Sequence, residues 1–268
     1  MKGSILVHGG AGRYRSSPEK IQELLNRSVE AGLAAFERGA LESAVVAVEV
    51  MESSGLLNAG KGGSRQADGT IRMDASAATG QLFGSVIAMP GCWPASRCAA
   101  RLLATPYPIR AGESVVRWAR QEGFTQWEPD ADAYAHWEKK SAPSPGTVGA
   151  VVVVDGVPAV VTSTGGRERA AEGRVGDTAL PGCGSSAGKS GAVSWTGIGE
   201  AILRMRMADW TRGQLKDCSP QEAAERAVEK LESDELNEGE GGVIIISSEG
   251  EMGWAFNTEA MAVAWGKK

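Results

Sequence analysis

The amino-acid sequence predicts a layered α/β fold. Three observations carry that expectation. Segments of helical periodicity come in pairs, strand-like apolar runs come as antiparallel hairpins, and the 36 glycines cluster in short loops rather than in a low-complexity tract. At 268 residues the chain fits one large domain or two small ones, and no repeat of fixed period is visible.

In chain order, Ser4–Val7 reads as a short strand running into the glycine loop His8-Gly9-Gly10-Ala11-Gly12. Ser16 or Ser17 caps a helix opened by Pro18, whose Ile21, Leu24, Leu25, Val29, Leu33 and Phe36 recur at helical spacing before Gly39 ends it. Leu41–Ser53 repeats the pattern, and Leu57–Gly63 is a loop. Strands follow at Ile71–Ala77 and Leu82–Met89, then helices at Pro94–Leu103, Glu113–Gln121 and Asp130–Lys140. Ser141-Ala142-Pro143-Ser144-Pro145-Gly146 is the clearest linker. Beyond it, Thr147–Val154 and Val157–Thr164 are apolar β-branched runs about a tight Asp155-Gly156 turn, the pattern of a buried hairpin. A glycine-rich stretch, Gly165–Gly191, leads to a strand at Ala192–Trp195, one helix from Gly199 to Trp210 and another from Pro220 to Leu231. Three strands close the chain, at Gly242–Ser248, Met252–Asn257 and Met261–Trp265.

The formal net charge is −5, and the densest basic spots are only Lys139-Lys140 and Lys267-Lys268, which argues against nucleic acid as a partner. Cys92, Cys98, Cys183 and Cys218 show no metal-binding or disulfide-framework spacing. No apolar run approaches the roughly 20 residues that span a bilayer. The first residues lead straight into a strand without a signal-like segment, so a cytoplasmic setting is the expectation.

Chemistry is limited by the supply of bases. The chain has two histidines. His136 falls in a solvated helix pattern, and His8 in a glycine loop reads first as a structural hydrogen-bonding group. No Gly-x-Ser-x-Gly elbow is present. A threonine needs no histidine if its own α-amine is free, because an amine of pKa about 8 is partly neutral near pH 7 and can accept the hydroxyl proton. Gly146-Thr147 suits a cut that frees such an amine: it follows the linker, it precedes a buried strand, and glycine carries no Cβ to obstruct a strained approach. Read alone, Thr147 also starts a strand like any other threonine.

Seven signatures reverse that balance: His8-Gly9-Gly10-Ala11-Gly12, Leu57-Asn58-Ala59-Gly60, Met73-Asp74-Ala75-Ser76, Gly146-Thr147-Val148-Gly149-Ala150-Val151, Thr162-Ser163-Thr164-Gly165-Gly166, Gly173-Arg174-Val175-Gly176-Asp177 and Thr196-Gly197-Ile198-Gly199-Glu200. With them, in that order and over most of its length, the chain resembles the plant-type asparaginase/isoaspartyl aminopeptidase family of N-terminal-nucleophile hydrolases. The resemblance implies a four-layer αββα sandwich, self-cleaved into 1–146 and 147–268, that hydrolyses β-aspartyl amides of L-asparagine or isoaspartyl dipeptides. Thr147 is then the nucleophile and general base. Thr164 is the second threonine, hydrogen-bonded to the nucleophile. Thr196 and Gly197 form the oxyanion hole, with Asn58 beside it. Arg174 takes the substrate α-carboxylate, Asp177 its α-ammonium, and Gly199 a further backbone contact. Thr196 and Gly197 also count among the substrate contacts.

The resemblance further implies a homodimer of processed units and no cofactor. It also implies a structural sodium on backbone carbonyls of Met51–Lys61. Bulky Trp195 and Ile198 set the expectation of an unusual leaving-group side. In isolation Arg174 and Asp177 also read as a loop salt bridge, Thr196 as a helix cap and Asn58 as a turn residue. The rival readings are a glycosylasparaginase, a taspase-like endopeptidase that has no use for Asp177, and an unprocessed homologue without activity.

Overall fold

The computed structural model describes residues 1–14, 16–131, 146–236 and 238–268. The helix expected over Asp130–Lys140 and the linker before Gly146 fall almost wholly outside them. Among the described residues are seven α-helices and two β-sheets.

The first half contributes β1 (Gly3–Ala11), α1 (Pro18–Ala34), α2 (Ala40–Ser53), β2 (Arg72–Thr79), β3 (Leu82–Pro90), α3 (Ala95–Leu102), β4 (Ile109–Ala111) and α4 (Glu113–Gln121). The second contributes β5 (Val148–Val154), β6 (Val157–Thr164), β7 (Ser185–Gly188), β8 (Gly191–Gly197), α5 (Gly199–Met205), α6 (Met207–Gln214), α7 (Pro220–Glu232), β9 (Gly241–Ser247), β10 (Met252–Phe256) and β11 (Met261–Lys267). One sheet has seven strands in the order β11-β1-β5-β6-β2-β3-β4, the other four in the order β10-β9-β8-β7. Pairing is antiparallel except between β3 and β4.

Side-chain alternation sorts the strands' residues onto two faces. On β5, Val148, Ala150, Val152 and Val154 pack with α1 to α4, whereas Val151 and Val153 meet Ile244 and Ile246 of the second sheet. On β8, Val193 and Trp195 pack under α5 to α7. The space between the sheets turns polar toward one end. His8, Gly149, Thr162, Ser76 and Ser85 occupy one row across five strands. His8 Nε2 meets Ser194 Oγ at 2.7 Å, and Ser76 Oγ lies 2.8 Å from both Thr162 Oγ1 and Ser185 Oγ. These groups are fully buried, so the bonds between them are what make a polar seam tolerable there.

Four expectations are corrected. The first strand runs on to Ala11 and absorbs Gly9 and Gly10 of the expected loop, with a register shift against β11 between His8 and Ala11. The single helix expected from Gly199 to Trp210 is two, because Arg206 takes a left-handed conformation (φ 51°) that breaks the hydrogen-bond run. The glycine-rich stretch contains β7. Trp195 does not flank a leaving group. It is fully buried on the helix side, its Nε1 donating to Thr211 Oγ1 at 3.1 Å, and Ile198 packs against the same cluster. No helix among the described residues is long and apolar enough to cross a membrane.

Candidate active site between the two sheets

Thr147 leads into β5, Thr164 ends β6 and Thr196 lies near the end of β8, so two sheets deliver three hydroxyls to one place. All three are buried, Thr147 being 4 % exposed. Thr196 Oγ1 accepts the N–H of Thr147 at 3.2 Å and that of Ala11 at 3.1 Å. A hydroxyl oxygen has two lone pairs and one proton. With both lone pairs occupied, the Thr196 proton is left to be donated to a third group. A side-chain carbon on Gly146 would stand 3.7 Å from Thr196 Oγ1 and 3.8 Å from Gly197 N, so the residue before Thr147 lies beside both expected oxyanion donors. Those are ordinary contact distances. In this conformation the space would admit a side chain at 146, so the missing Cβ relieves no clash here.

Thr164 takes a different partner from the one expected. Its hydroxyl donates to the Gly146 carbonyl, the oxygen of the 146–147 peptide bond, at 3.1 Å and accepts from Gly166 N at 3.0 Å. The hydroxyl partner of Thr147 Oγ1 is Thr178 Oγ1, at 3.0 Å. Asn58 sits behind this group. Its Nδ2 donates to Gly166 O at 2.7 Å, and its Oδ1 accepts from Ser64 N and Oγ. It therefore anchors the segment that follows Thr164, 108 residues away in sequence, which is more than a local turn role.

Arg174, Asp177 and Gly199 also converge. A side-chain carbon on Gly199 would fall 2.7 Å from Asp177 Oδ1 and 2.8 Å from Arg174 Nη2, so glycine is what lets both charged groups come this close to the start of α5. Arg174 does not pair with Asp177. Its Nε and Nη2 both reach Glu200 Oε1 at 2.9 Å. Asp177 Oδ2 and Glu200 Oε2 are buried without a hydrogen-bond partner. Burial pushes the Asp177 carboxyl up to about 7, with Arg174 opposing and Asp74 and Glu200 adding to the rise. Burial likewise raises Asp74 to about 6, against hydrogen bonds from Ala88 and Gly176. Glu200 is held below its usual range, chiefly by its bond to Arg174. This cluster thus holds more carboxylates than guanidinium, a field that favours a cation.

Thr196 is a strand residue, and the position capping α5 is Ile198. His8 is fully buried, and burial drives its pKa down to about 3, so it stays a neutral structural imidazole against Ser194. Asp74, Thr178 and Glu200 were not singled out from the sequence, although Asp74 and Glu200 stand inside two of its signatures. A broad surface groove along α1, lined by Glu19, Glu23, Arg27 and Glu30, contains none of these groups. No cluster of His, Cys, Asp and Glu able to hold a metal occurs among the described residues.

A family model described as asparaginase matches residues 1–144 and 113–268. The plant-type L-asparaginase of Pyrobaculum calidifontis is 37% identical, the match covering 98% of this chain and 97% of that protein. The isoaspartyl peptidase of Escherichia coli is 34% identical over 99% of this chain and 93% of its own length. The isoaspartyl peptidase/L-asparaginase of Danio rerio is 31% identical over 97% and 90%.

Proposed function

The chain belongs to the asparaginase family, and from that premise we propose that it is a threonine amidohydrolase that cuts itself before Thr147 and then hydrolyses β-aspartyl amides. The observation that carries this reading is the meeting of Thr147, Thr164 and Thr196 around the 146–147 peptide bond.

In maturation, Thr147 Oγ1 attacks the Gly146 carbonyl carbon. The Gly146–Thr147 C–N bond breaks and the nitrogen takes up the hydroxyl proton. Water then hydrolyses the resulting ester, leaving a carboxylate on Gly146 and a free amine on Thr147. Thr164, already donating to the Gly146 oxygen, stabilises the negative charge that forms there. In turnover, the amine takes the Thr147 hydroxyl proton as Oγ1 attacks the substrate β-carbonyl, and the leaving amine departs protonated. Water releases aspartate from the β-aspartyl-threonine ester. The Thr196 hydroxyl and Gly197 N–H bind the oxyanion, Arg174 the α-carboxylate and Asp177 the α-ammonium. Helices outside both sheets, with an apolar core under each helix layer and another between the sheets, support the four-layer αββα architecture of this reading.

A structural sodium fits the loop before Asn58. Gly60 and Gly62 press on backbone carbonyls: a side chain on Gly60 would collide with Glu52 O, and one on Gly62 with Leu57 O and, at 2.7 Å, Gly55 O. Backbone carbonyl oxygens are the ligands a hard cation takes. The ion would brace the segment leading to Asn58.

The direct assay is ammonia release from L-asparagine beside leucine release from β-Asp-Leu. Activity on neither, in protein that is cut, would sink the reading. Thr196→Val keeps the shape and removes the hydroxyl. It should lower kcat about 10²-fold or more with a smaller change in KM, because the donor acts mainly in the transition state. It also strands the Ala11 and Thr147 N–H groups, so the measurement belongs on the cut fraction of folded protein. An unchanged kcat there would remove Thr196 from the oxyanion hole.

A further inference from the structure

We propose that Thr178 is a further catalytic residue, whose hydroxyl donates to Thr147 Oγ1 and so orients the nucleophile and stabilises its oxygen as charge develops there. The proposal rests on the threonine-nucleophile reading above and adds a group that the sequence signatures did not assign. Thr178 Oγ1 lies 3.0 Å from Thr147 Oγ1, and Thr178 is 1 % exposed. A buried hydroxyl at that distance holds the side-chain rotor of Thr147 and keeps water off it.

The placement of Thr178 is rigid. The carbonyl of Asp177, just before it, accepts from Leu180 N at 3.0 Å and Gly184 N at 3.1 Å. The carbonyl of Ala179, just after it, accepts from Ser85 Oγ on β3 at 2.7 Å. Gly184 leaves no slack, since a side chain there would stand 2.8 Å from the Thr178 α-carbon and 2.6 Å from Asp177 Oδ2. The segment that presents Asp177 to the head-group space therefore also presents the next residue to the nucleophile. Binding of the substrate ammonium and alignment of the attacking oxygen are built on adjacent residues of one clamped loop.

The direction of donation follows from the chemistry. In turnover the Thr147 proton must pass to its own α-amine, so it is not available to Thr178. The Thr178 proton is then the one shared. Thr178 keeps that proton throughout, and no bond to it forms or breaks. Its donation lowers the proton affinity of Oγ1 during attack. It also stabilises the same oxygen when Oγ1 leaves as the ester is hydrolysed.

The test uses the full chain with Thr178→Val and Thr178→Ser. The readouts are the rate of self-cleavage by intact mass, kcat and KM on β-Asp-Leu, and thermal denaturation. Val is expected to slow self-cleavage at least tenfold. In the cut fraction it should lower kcat by about ten- to a hundredfold, with KM within about threefold of wild type. Ser restores the hydroxyl and should recover most of both losses. Overturning results are a Val variant within twofold of wild type in both rates, a loss that Ser does not recover, or a rise in KM at constant kcat, which marks a support for the head-group loop only. Should Val remain wholly uncut or unfold, the self-cleavage rate and kcat of the Ser variant decide: recovery upholds the role and failure ends it. A wild type that is neither cut nor active would instead remove the functional reading itself.

Discussion

Replacing Thr147 with Ala is expected to leave a single 27.9 kDa chain with no measurable hydrolysis of β-aspartyl amides, whereas the wild type separates on a denaturing gel into pieces beginning at Met1 and Thr147. The substitution removes both groups that the reaction needs. Without the hydroxyl nothing attacks the Gly146 carbonyl, so the bond stays closed. Without the cut, residue 147 has an amide nitrogen instead of an amine, and an amide has no basicity to offer. The site supplies no obvious substitute. Ser194 and His8 form a hydroxyl–imidazole pair at 2.7 Å, but both are fully buried between the sheets. His8 sits at about pKa 3, too weak a base to activate a hydroxyl near neutral pH. Thr147→Ser, which keeps a hydroxyl and an amine, should still cut itself. A wild-type protein fully active as one uncut chain would end the N-terminal-nucleophile account, whatever the family.

The site residues are read from short signatures and the family resemblance they carry, since local spacing alone leaves Thr147 a strand residue and Arg174 and Asp177 a loop pair. Thr147 stands at a linker-to-strand boundary, and Arg174 and Asp177 stand three residues apart between glycines. Thr178 was not legible, because nothing local to residues 173–184 specifies that residue 178 will face residue 147. That meeting is made by the stacking of two sheets and by a carbonyl on β3-facing Ala179 being held by Ser85. Trp195 could have been placed correctly. Along Ala192-Val193-Ser194-Trp195-Thr196 the period of two puts Ser194 and Thr196 on one face and Trp195 on the other, and the structure keeps that alternation. The break at Arg206 had no such signal. A left-handed residue is ordinarily glycine or asparagine, and here an arginine adopts it between two helices that pack separately. Asn58 shows a middle case: its signature was visible, yet its partner Gly166 lies on a distant loop.

Asp177→Asn is expected to lower kcat/KM for β-Asp-Leu by about 30- to 4,000-fold, the range that follows from removing one partner of a buried charged pair at roughly 2–5 kcal/mol. Asp177 Oδ2 is buried without a partner, and Oδ1 lies close against Gly199 beside Arg174, so the carboxylate lacks the donor that an α-ammonium provides. Arg174 in the free site is held by Glu200, which a substrate carboxylate must displace or join. The charge state sets a pH dependence whose sign is fixed. Burial raises the Asp177 carboxyl to about 7, so below that pH it is protonated and attracts the ammonium weakly. As pH rises through about 7 it ionises and kcat/KM climbs. A second rise belongs to the Thr147 amine, ordinarily near pKa about 8. Asp177→Asn should lose the lower rise, keep the upper one and still cut at Gly146. N-acetylating β-Asp-Leu removes the ammonium from the other side, so wild type should lose a similar factor while the Asn variant treats both substrates nearly alike. Measuring kcat/KM for the two substrates on the two proteins from pH 5.5 to 9 decides it. If wild type hydrolyses the acetylated or an internal aspartyl peptide as readily as the free one, Asp177 holds no ammonium, and the endopeptidase reading takes its place.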